Sequence, residues 1–380
     1  MKGIYWRPKN VSRNVLILIA FMAVGGIVAV ESFKIEVKQD YYPAKLKAAR
    51  QMDAAMKELR KLREKLNVPL DMENDPTGSG LIGWPFSQVT SNTGYLDSKQ
   101  TTINPNFAAV IVHMFKKAGV EAGDVVAVGF SGSFPALNVA TLAACDALDV
   151  EPIIISSASA SEWGANIPGF TWLEMENHLF TVGMFKRQSL AASIGGVADR
   201  GHGMSKEGKE ALKAIIQKVK LPLLWPRTMV DAIDQRMAIY EEAAGERPIK
   251  AYVNVGGGTI SVGTVVGKHL FRPGVNKRMP PNAAEIDSVM VRFAAQGIPV
   301  IHLSNVKDLA TQYGLPAPVM EPQQAGKGNI FNKIEYNRWL VGGVLLVLLV
   351  ALWLLVRLNL AHRFSAPATR KSDGVPEAMV

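Results

Sequence analysis

Short apolar runs alternate with stretches of helical periodicity through the middle of the chain. The runs are rich in Val and Ile and have no polar face, which is typical of strands buried on both sides of a sheet. The pattern predicts helix 104–118, strand 125–130, helix 135–148, strand 152–156, helix 206–219, strand 250–255, helix 283–296, strand 299–303 and helix 306–313. This alternation predicts an α/β fold with a largely parallel sheet and helices on both faces.

An amphipathic segment precedes this region. Apolar residues recur every three or four positions between Pro43 and Asn67, and the remaining positions are strongly basic. The spacing predicts one helix, which packs within its own domain, forms a stalk or self-association seam, or lies on a surface. Residues 70–102 are rich in Gly, Pro, Asn, Ser and Thr and are predicted to be a loop.

Two uncharged apolar runs lie near the chain ends, Val15–Val30 and Trp339–Val356. Each approaches the roughly 20 residues that a helix needs to cross a bilayer core, so two transmembrane helices are predicted. A core helix of a soluble protein is the alternative for both runs. A cleaved signal peptide is a further alternative for the first run.

The formal charge of +9 resides mainly at these ends. Residues 31–337 hold 33 Lys and Arg against 31 Asp and Glu, a net charge of +2. Four basic residues and no acidic residue precede the first run. Because cytoplasmic flanks are enriched in Lys and Arg, both termini are predicted to be cytoplasmic and the central region extracytoplasmic. The nearly neutral central region disfavours nucleic acid as a partner.

These signals divide the chain into seven segments. The predicted segments are a cytoplasmic tail at 1–14, a transmembrane signal anchor at 15–30, the amphipathic helix and loop at 31–102, an α/β domain at 103–313, a linker at 314–338, a transmembrane helix at 339–356 and a cytoplasmic tail at 357–380. One cysteine excludes an intramolecular disulfide, and six scattered histidines predict no metal site.

The sharpest local feature is a strand, a Gly/Ser turn and a helix between Val125 and Asn138. Three interpretations of this turn remain open: an ordinary helix cap, an anion site that includes Gly129 and Gly132, or a nucleophile at Ser131 or Ser133. Gly129-Phe130-Ser131 begins like a nucleophile elbow, but the final glycine of that motif is absent.

A glycine-rich loop, 195–203, carries an acid, a base and a cation close together. Asp199 and His202 could complete a hydrolase triad with Ser131 in chain order, and Arg200 could bind an anion. A serine-rich segment, 156–161, follows the strand at 152–156 and has hydroxyl groups suited to ligand binding.

A third glycine-rich segment follows the strand at 250–255. Asn254 and Gly256, Gly257 and Gly258 are candidate ligand-binding residues, although the flanking apolar runs favour a hairpin turn. The segment fits neither the Rossmann nor the Walker A pattern. It faintly resembles the phosphate hairpin of actin-like ATPases, but Asn254 replaces the metal-linking acid, which argues against nucleotide hydrolysis. No cofactor is predicted.

Taken together, these segments resemble a known family. The motifs are PALN at 135–138, SSASASEWGAN at 156–166, FTWLEME at 170–176, AASIGGVADRG at 191–201 and NVGGGTISVG at 254–263. With a membrane helix at each end, the chain resembles the poly-γ-glutamate system protein family over most of residues 10–360. The resemblance implies a bacterial cytoplasmic-membrane protein that acts beside the poly-γ-glutamate synthase and export subunits. It assigns no role to any residue.

The leading hypothesis is an accessory membrane protein whose extracytoplasmic α/β domain binds an anionic ligand, with the polymer itself as a potential partner. A membrane-anchored serine hydrolase acting on an amide or ester is the alternative. A purely scaffolding subunit is a third hypothesis. The sequence leaves open whether the protein is catalytic.

Overall fold

The computed structural model describes residues 13–263 and 267–357. The predicted tails at 1–14 and 357–380 lie outside the described residues, apart from 13, 14 and 357. The chain forms two compact units. One extends from Lys38 to Asn332, and the other combines the chain up to Val37 with the chain from Lys333 onward.

The helices and strands are numbered in chain order. The helices are α1 Arg13–Ser32, α2 Tyr42–Lys65, α3 Leu96–Thr102, α4 Phe107–Ala118, α5 Pro135–Leu148, α6 Trp172–Thr181, α7 Lys206–Lys218, α8 Met229–Ala244, α9 Thr259–Val262, α10 Gly267–Leu270, α11 Val289–Ala295, α12 Val306–Gln312 and α13 Arg338–Arg357. The strands are β1 Ile35–Lys38, β2 Thr90–Asn92, β3 Val125–Ser131, β4 Glu151–Ser157, β5 Ala160–Ser161, β6 Asn166–Ile167, β7 Phe170–Thr171, β8 Ala191–Ser193, β9 Leu223–Leu224, β10 Ile249–Val255, β11 Gly274–Asn276, β12 Val300–Leu303 and β13 Asn332–Glu335.

A seven-stranded sheet forms the centre of the larger unit, in the order β11-β12-β10-β3-β4-β8-β9. All neighbours are parallel except β11, which pairs antiparallel with β12. The prediction of a mixed α/β fold with a largely parallel sheet is therefore confirmed.

Helices cover both faces of this sheet. Alternate residues of β3 enter different cores: Val126 and Val128 pack with the α2, α4 and α5 side, whereas Val125 and Ala127 pack with the α8 and α11 side. Because successive side chains of a strand point to opposite faces, the unbroken apolar run of β3 is explained by burial on both sides.

Helix α2 belongs to this unit. Met52 and Leu59 on its apolar stripe are fully buried against α4 and α5, and only Leu66 at its end is exposed. Arg63 is also buried, and its guanidinium donates to the carbonyl oxygens of Gly80, Ile82 and Pro69. Of the alternatives for the amphipathic segment, the structure has packing within its own unit.

Three local predictions differ from the structure. The predicted loop at 70–102 contains β2 and α3, and the predicted helix at 283–296 becomes a 3₁₀ turn followed by α11. Helix α11 starts late because the Ser288 side chain caps it by accepting from the Val291 N–H. The prediction of a hairpin after β10 was wrong. Gly256, at φ 86°, turns the chain into the short helix α9 instead.

The larger unit also extends beyond the α/β domain predicted at 103–313. It includes α2 and part of the predicted linker at 314–338, because Leu315, Val319 and Phe331 are buried in its core.

The smaller unit contains α1 and α13. Asn14–Ser32 and Arg338–Leu355 are long and apolar enough to cross a membrane, and neither is buried within the protein. Gly26 of α1 lies directly against Val344 of α13, where a larger side chain would collide. These two helices are compatible with a two-pass membrane protein.

Candidate functional site

The strand order creates a crevice between β3 and β10. From β3 the chain builds outward through β4, β8 and β9, and then it returns to place β10 and β12 on the other side of β3. In open parallel sheets, ligands bind beyond the carboxyl ends of the strands where the order reverses in this way. The Ser131–Phe134 turn and the Gly256–Gly258 loop face each other at that position. A Cβ added to Gly256 would lie 3.5 Å from the Ser131 Cβ.

Three serines form a row across this edge. Ser131, Ser157 and Ser193 occupy paired positions at the ends of β3, β4 and β8. Paired residues on adjacent strands point to the same face, so their hydroxyl groups are neighbours. The Ser193 hydroxyl donates to that of Ser157 at 3.4 Å. The row is not evident in the sequence, because 62 positions separate its ends in the chain.

A buried ion pair closes one end of the row. Arg236 on α8 donates through Nε to the Asp199 carboxylate at 2.8 Å and through Nη2 to the Ser193 hydroxyl at 3.0 Å. Burial opposes the charge on Arg236, but Asp199 together with Tyr240 and Tyr252 outweighs it, so the pKa of the guanidinium is raised. The Asp199 carboxylate is therefore engaged by a cation.

This arrangement does not form the predicted triad. Asp199 binds Arg236, and the His202 side chain is exposed and has no hydrogen bond to any described residue. Arg200, the predicted anion ligand, instead donates to the carbonyl of Arg227 at 2.8 Å. An orienting acid for His202 is therefore missing, and Ser131 has no histidine partner among the described residues.

The 195–203 loop nevertheless joins the crevice through its backbone. The Ala198 N–H donates to the Thr259 hydroxyl, which in turn donates to the Gly196 carbonyl, each at 3.2 Å. Ala198 and Asp199 adopt left-handed backbone conformations, at φ 56° and 57°. Three of the predicted loops, at 131–133, 195–203 and 256–258, thus meet at one edge of the sheet.

The backbone amides of the β3–α5 turn are already used. Gly132 N–H donates to the Ser157 carbonyl, Ser133 N–H to the Ser131 hydroxyl and Phe134 N–H to the Ser131 carbonyl. The prediction that this turn presents free amides to an anion was wrong, because each finds an acceptor in the fold. A Cβ on Gly132 would lie 2.7 Å from the Ser159 carbonyl, so this glycine permits close packing of two loops.

The glycine loop after β10 differs in this respect. Gly256 N–H donates to the Leu303 carbonyl, whereas the amides of Gly257, Gly258 and Thr259 have no acceptor among the described residues. Both Gly257 and Gly258 are exposed. The Lys268 ammonium is adjacent, 3.8 Å from where a Cβ on Gly257 would be, and it has no ion-pair partner in the described ranges.

Asn254 and Gly129 have internal roles. The Asn254 side-chain amide donates to the Gly256 carbonyl at 2.7 Å and to His302 Nδ1 at 2.9 Å, so it holds the loop rather than facing a ligand. Burial lowers the pKa of His302 to about 4, which keeps the ring neutral. Gly129 leaves room for the Tyr252 hydroxyl and Ser261, which share a 2.8 Å hydrogen bond.

A buried lysine, which the sequence analysis missed, lies beside the turn. Lys99 on α3 is only 4% exposed, and Nζ donates to the Ser133 carbonyl and to the Ser161 hydroxyl at 2.9 Å. The Lys99 Nζ atom lies 3.7 Å from the centre of the Phe134 ring. No carboxylate among the described residues forms an ion pair with it, and burial lowers its pKa to about 7. Its position in a predicted loop concealed it.

A separate groove of about 220 Å³ lies away from this edge, between α2 and the segments near residues 78 and 322. Its charged side chains are paired locally, Lys57 with Asp53 and Arg60 with Glu64. We therefore assign the candidate site to the crevice, where unpaired polar groups converge.

Comparison with known proteins gives no match to a protein-family model, to a curated protein or to a solved structure. Within the described ranges, no group of three or more His, Cys, Asp or Glu side chains is arranged to hold a metal ion. The geometry of the crevice is therefore the basis for the proposed function.

Proposed function

We propose that this protein is an accessory component of a membrane-bound poly-γ-glutamate system and binds a carboxylate-bearing ligand in the crevice between β3 and β10. The observation that carries the proposal is the Gly256–Thr259 loop. Its amides at Gly257, Gly258 and Thr259 and the neighbouring Lys268 have no partner among the described residues, and Gly256 lies beside Ser131 of the serine row. Amide and hydroxyl donors beside a cation suit an anionic oxygen ligand.

The charge of the site supports an anion rather than a cation. Arg236 is neutralised by Asp199, but the exposed Lys268 has no carboxylate partner among the described residues. Because the central region carries a net charge of only +2, attraction of a polyanion depends on such local groups rather than on a general field.

The end helices support a membrane location. Asn14–Ser32 and Arg338–Leu355 would cross the bacterial cytoplasmic membrane twice, with both termini in the cytoplasm and the larger unit outside. The sequence motifs between 135 and 263 that resemble the poly-γ-glutamate family supply the proposed partners, which are the synthase and export subunits and the polymer.

Calorimetry on the full-length protein in detergent tests the binding step, with N-acetylglutamate and N-acetyl-γ-glutamyl-glutamate as probes and N-acetylglutaminamide as the uncharged control. Lys268→Met is expected to weaken carboxylate binding about tenfold, as the loss of a charge-assisted hydrogen bond would. Lys250→Met is the matched control, because Lys250 is an exposed lysine at the opposite end of β10. Equal affinity in both variants, or no binding by the wild type, would contradict the proposal.

Polymer output distinguishes a binding role from pure scaffolding. Cells that carry Lys268→Met at normal membrane abundance are expected to release less poly-γ-glutamate than cells that carry Lys250→Met. Unchanged output would favour the scaffolding hypothesis.

A further inference from the structure

A lysine and a serine outside the predicted triad lie in hydrogen-bond contact beside the crevice. Lys99 Nζ is 2.9 Å from the Ser161 hydroxyl oxygen. Ser161 ends β5, is half-buried, and its own N–H donates to the Ser133 hydroxyl at 2.9 Å. We propose that Ser161 is a nucleophile that forms an acyl-enzyme and that Lys99 is its general base. This activity goes beyond ligand binding.

The surroundings of Lys99 favour the uncharged amine. The carboxylates closest in the chain to Lys99 and Ser161 have other partners: Asp97 on the same helix binds Lys307, and Glu162 accepts from the Gly94 N–H. Lys99 itself packs against the Phe134 ring and is almost fully buried. Desolvation lowers the pKa of Lys99 to about 7, so a large fraction of the amine is free to accept a proton at neutral pH.

The hydrogen bonds of Lys99 also allow proton transfer from Ser161. The Ser133 carbonyl can only accept, so it takes an N–H of Lys99. The ammonium form of Lys99 donates to the Ser161 hydroxyl at 2.9 Å, whereas the neutral amine has a lone pair left that can accept the Ser161 O–H over the same distance. Ser133 thus holds both partners, through its carbonyl on Lys99 and its hydroxyl on the Ser161 N–H, and it is a positioning residue.

The substrate class is a carboxylic ester or amide. Ser161 Oγ would bond to the acyl carbon while its proton moves to Lys99 Nζ. Collapse of the tetrahedral adduct breaks the bond to the alcohol or amine, which leaves with the proton from Lys99. Lys99 then deprotonates water, whose oxygen attacks the acyl carbon, and Ser161 regains its proton as the acid is released. Atoms and charge balance without a metal or redox partner.

Covalent labelling of the full-length protein in detergent tests this assignment. A fluorophosphonate and p-nitrophenyl acetate are used in parallel, and the modified residue is mapped by peptide mass spectrometry. Ser161 is expected to be modified by at least one reagent, and Ser161→Ala is expected to lose that modification at least a hundredfold. Ser98→Ala on α3, whose hydroxyl lies beside Asp97, is the matched control and keeps it.

Two further measurements separate a base from a structural lysine. Lys99→Arg keeps the hydrogen-bond donors but stays charged and cannot accept a proton at neutral pH, so Ser161 labelling should fall at least tenfold. The second measurement uses the wild type, so it does not depend on whether a variant folds. The rate of Ser161 labelling should rise about tenfold per pH unit below pH 7 and level off above it. An unmodified Ser161, a rate that Lys99→Arg leaves unchanged, or a rate independent of pH would each overturn the proposal.

Discussion

Asp199 and Arg236 depend on each other, because both are buried and each is the other's counter-ion. Removing one partner leaves an unpaired charge in the interior, which costs about 3–5 kcal/mol. We expect Asp199→Asn and Arg236→Met each to lower the free energy of unfolding by about that amount. The double variant should be more stable than the sum of the two effects implies, as measured by denaturant unfolding.

The control for this prediction is an exposed pair. Lys213 and Glu210 lie one helical turn apart on α7, and Glu210→Gln should change the free energy of unfolding by less than about 1 kcal/mol. If the effects of Asp199→Asn and Arg236→Met were additive, the ion pair would not couple the two positions.

Glu176 is a second buried ionisable group and forms no ion pair with any described residue. Its carboxylate accepts from Ser189, whose hydroxyl contacts Ser156, and Trp172 donates to the same Ser156 hydroxyl. Burial raises the pKa of Glu176 from 4.5 to about 7. The folded protein therefore holds a proton that the unfolded chain releases, and this contribution to stability is complete below pH 4.5 and is lost as pH rises through 7.

The loss amounts to about 3 kcal/mol above pH 7. Glu176→Gln should remove it, so the variant is expected to gain stability relative to the wild type between pH 5 and pH 8. Melting temperatures across this range measure the difference. A parallel pH dependence in wild type and variant would contradict the prediction.

The residues that sequence reasoning found and missed differ in how local their signal is. Gly256 and Ser131 could be located because a turn residue directly follows an apolar strand. The partner of Asp199 could not, because Arg236 lies 37 positions away on a helix that the apolar pattern did not reveal. Lys99 was missed because burial, which its spacing in the sequence does not reveal, is what lowers its pKa.

At the scale of elements, periodicity predicted α2, α4, α5 and α7 and the strands buried on both faces, but it missed α8. It failed for β8, because Ala191–Ser193 is too short for any repeat, yet this strand places Ser193 in the serine row. It also failed for α3, because Leu96 is the one apolar residue in the sequence of that helix, LDSKQTT. The crevice depends on these short elements and on strand order, which long-range pairing sets.

Helix α2 offers a direct test of an element's packing. Leu59 is fully buried beneath the helix, whereas Leu66 at its end is 44% exposed. Leu59→Ala should lower the free energy of unfolding by about 2–5 kcal/mol through lost burial and a residual cavity. Leu66→Ala, the matched control, should change it by less than about 0.5 kcal/mol, as measured by denaturant unfolding. Similar values for the two variants would contradict packing of this stripe in the core.

At the scale of the whole molecule, charge and the lone cysteine together make the proposed orientation testable. Seven of the nine net positive charges lie outside residues 31–337, where they would hold both termini in the cytoplasm. Cys145 is buried, so a membrane-impermeant maleimide should leave the native protein unlabelled. Lys65→Cys, at the exposed end of α2, should be labelled in intact cells, because the larger unit is proposed to face outward. Lys371→Cys, in the basic C-terminal segment, should be labelled only after the membrane is permeabilised. The opposite pattern would reverse the orientation, and labelling of both positions in intact cells would mean that the two ends of the chain do not share the cytoplasmic side.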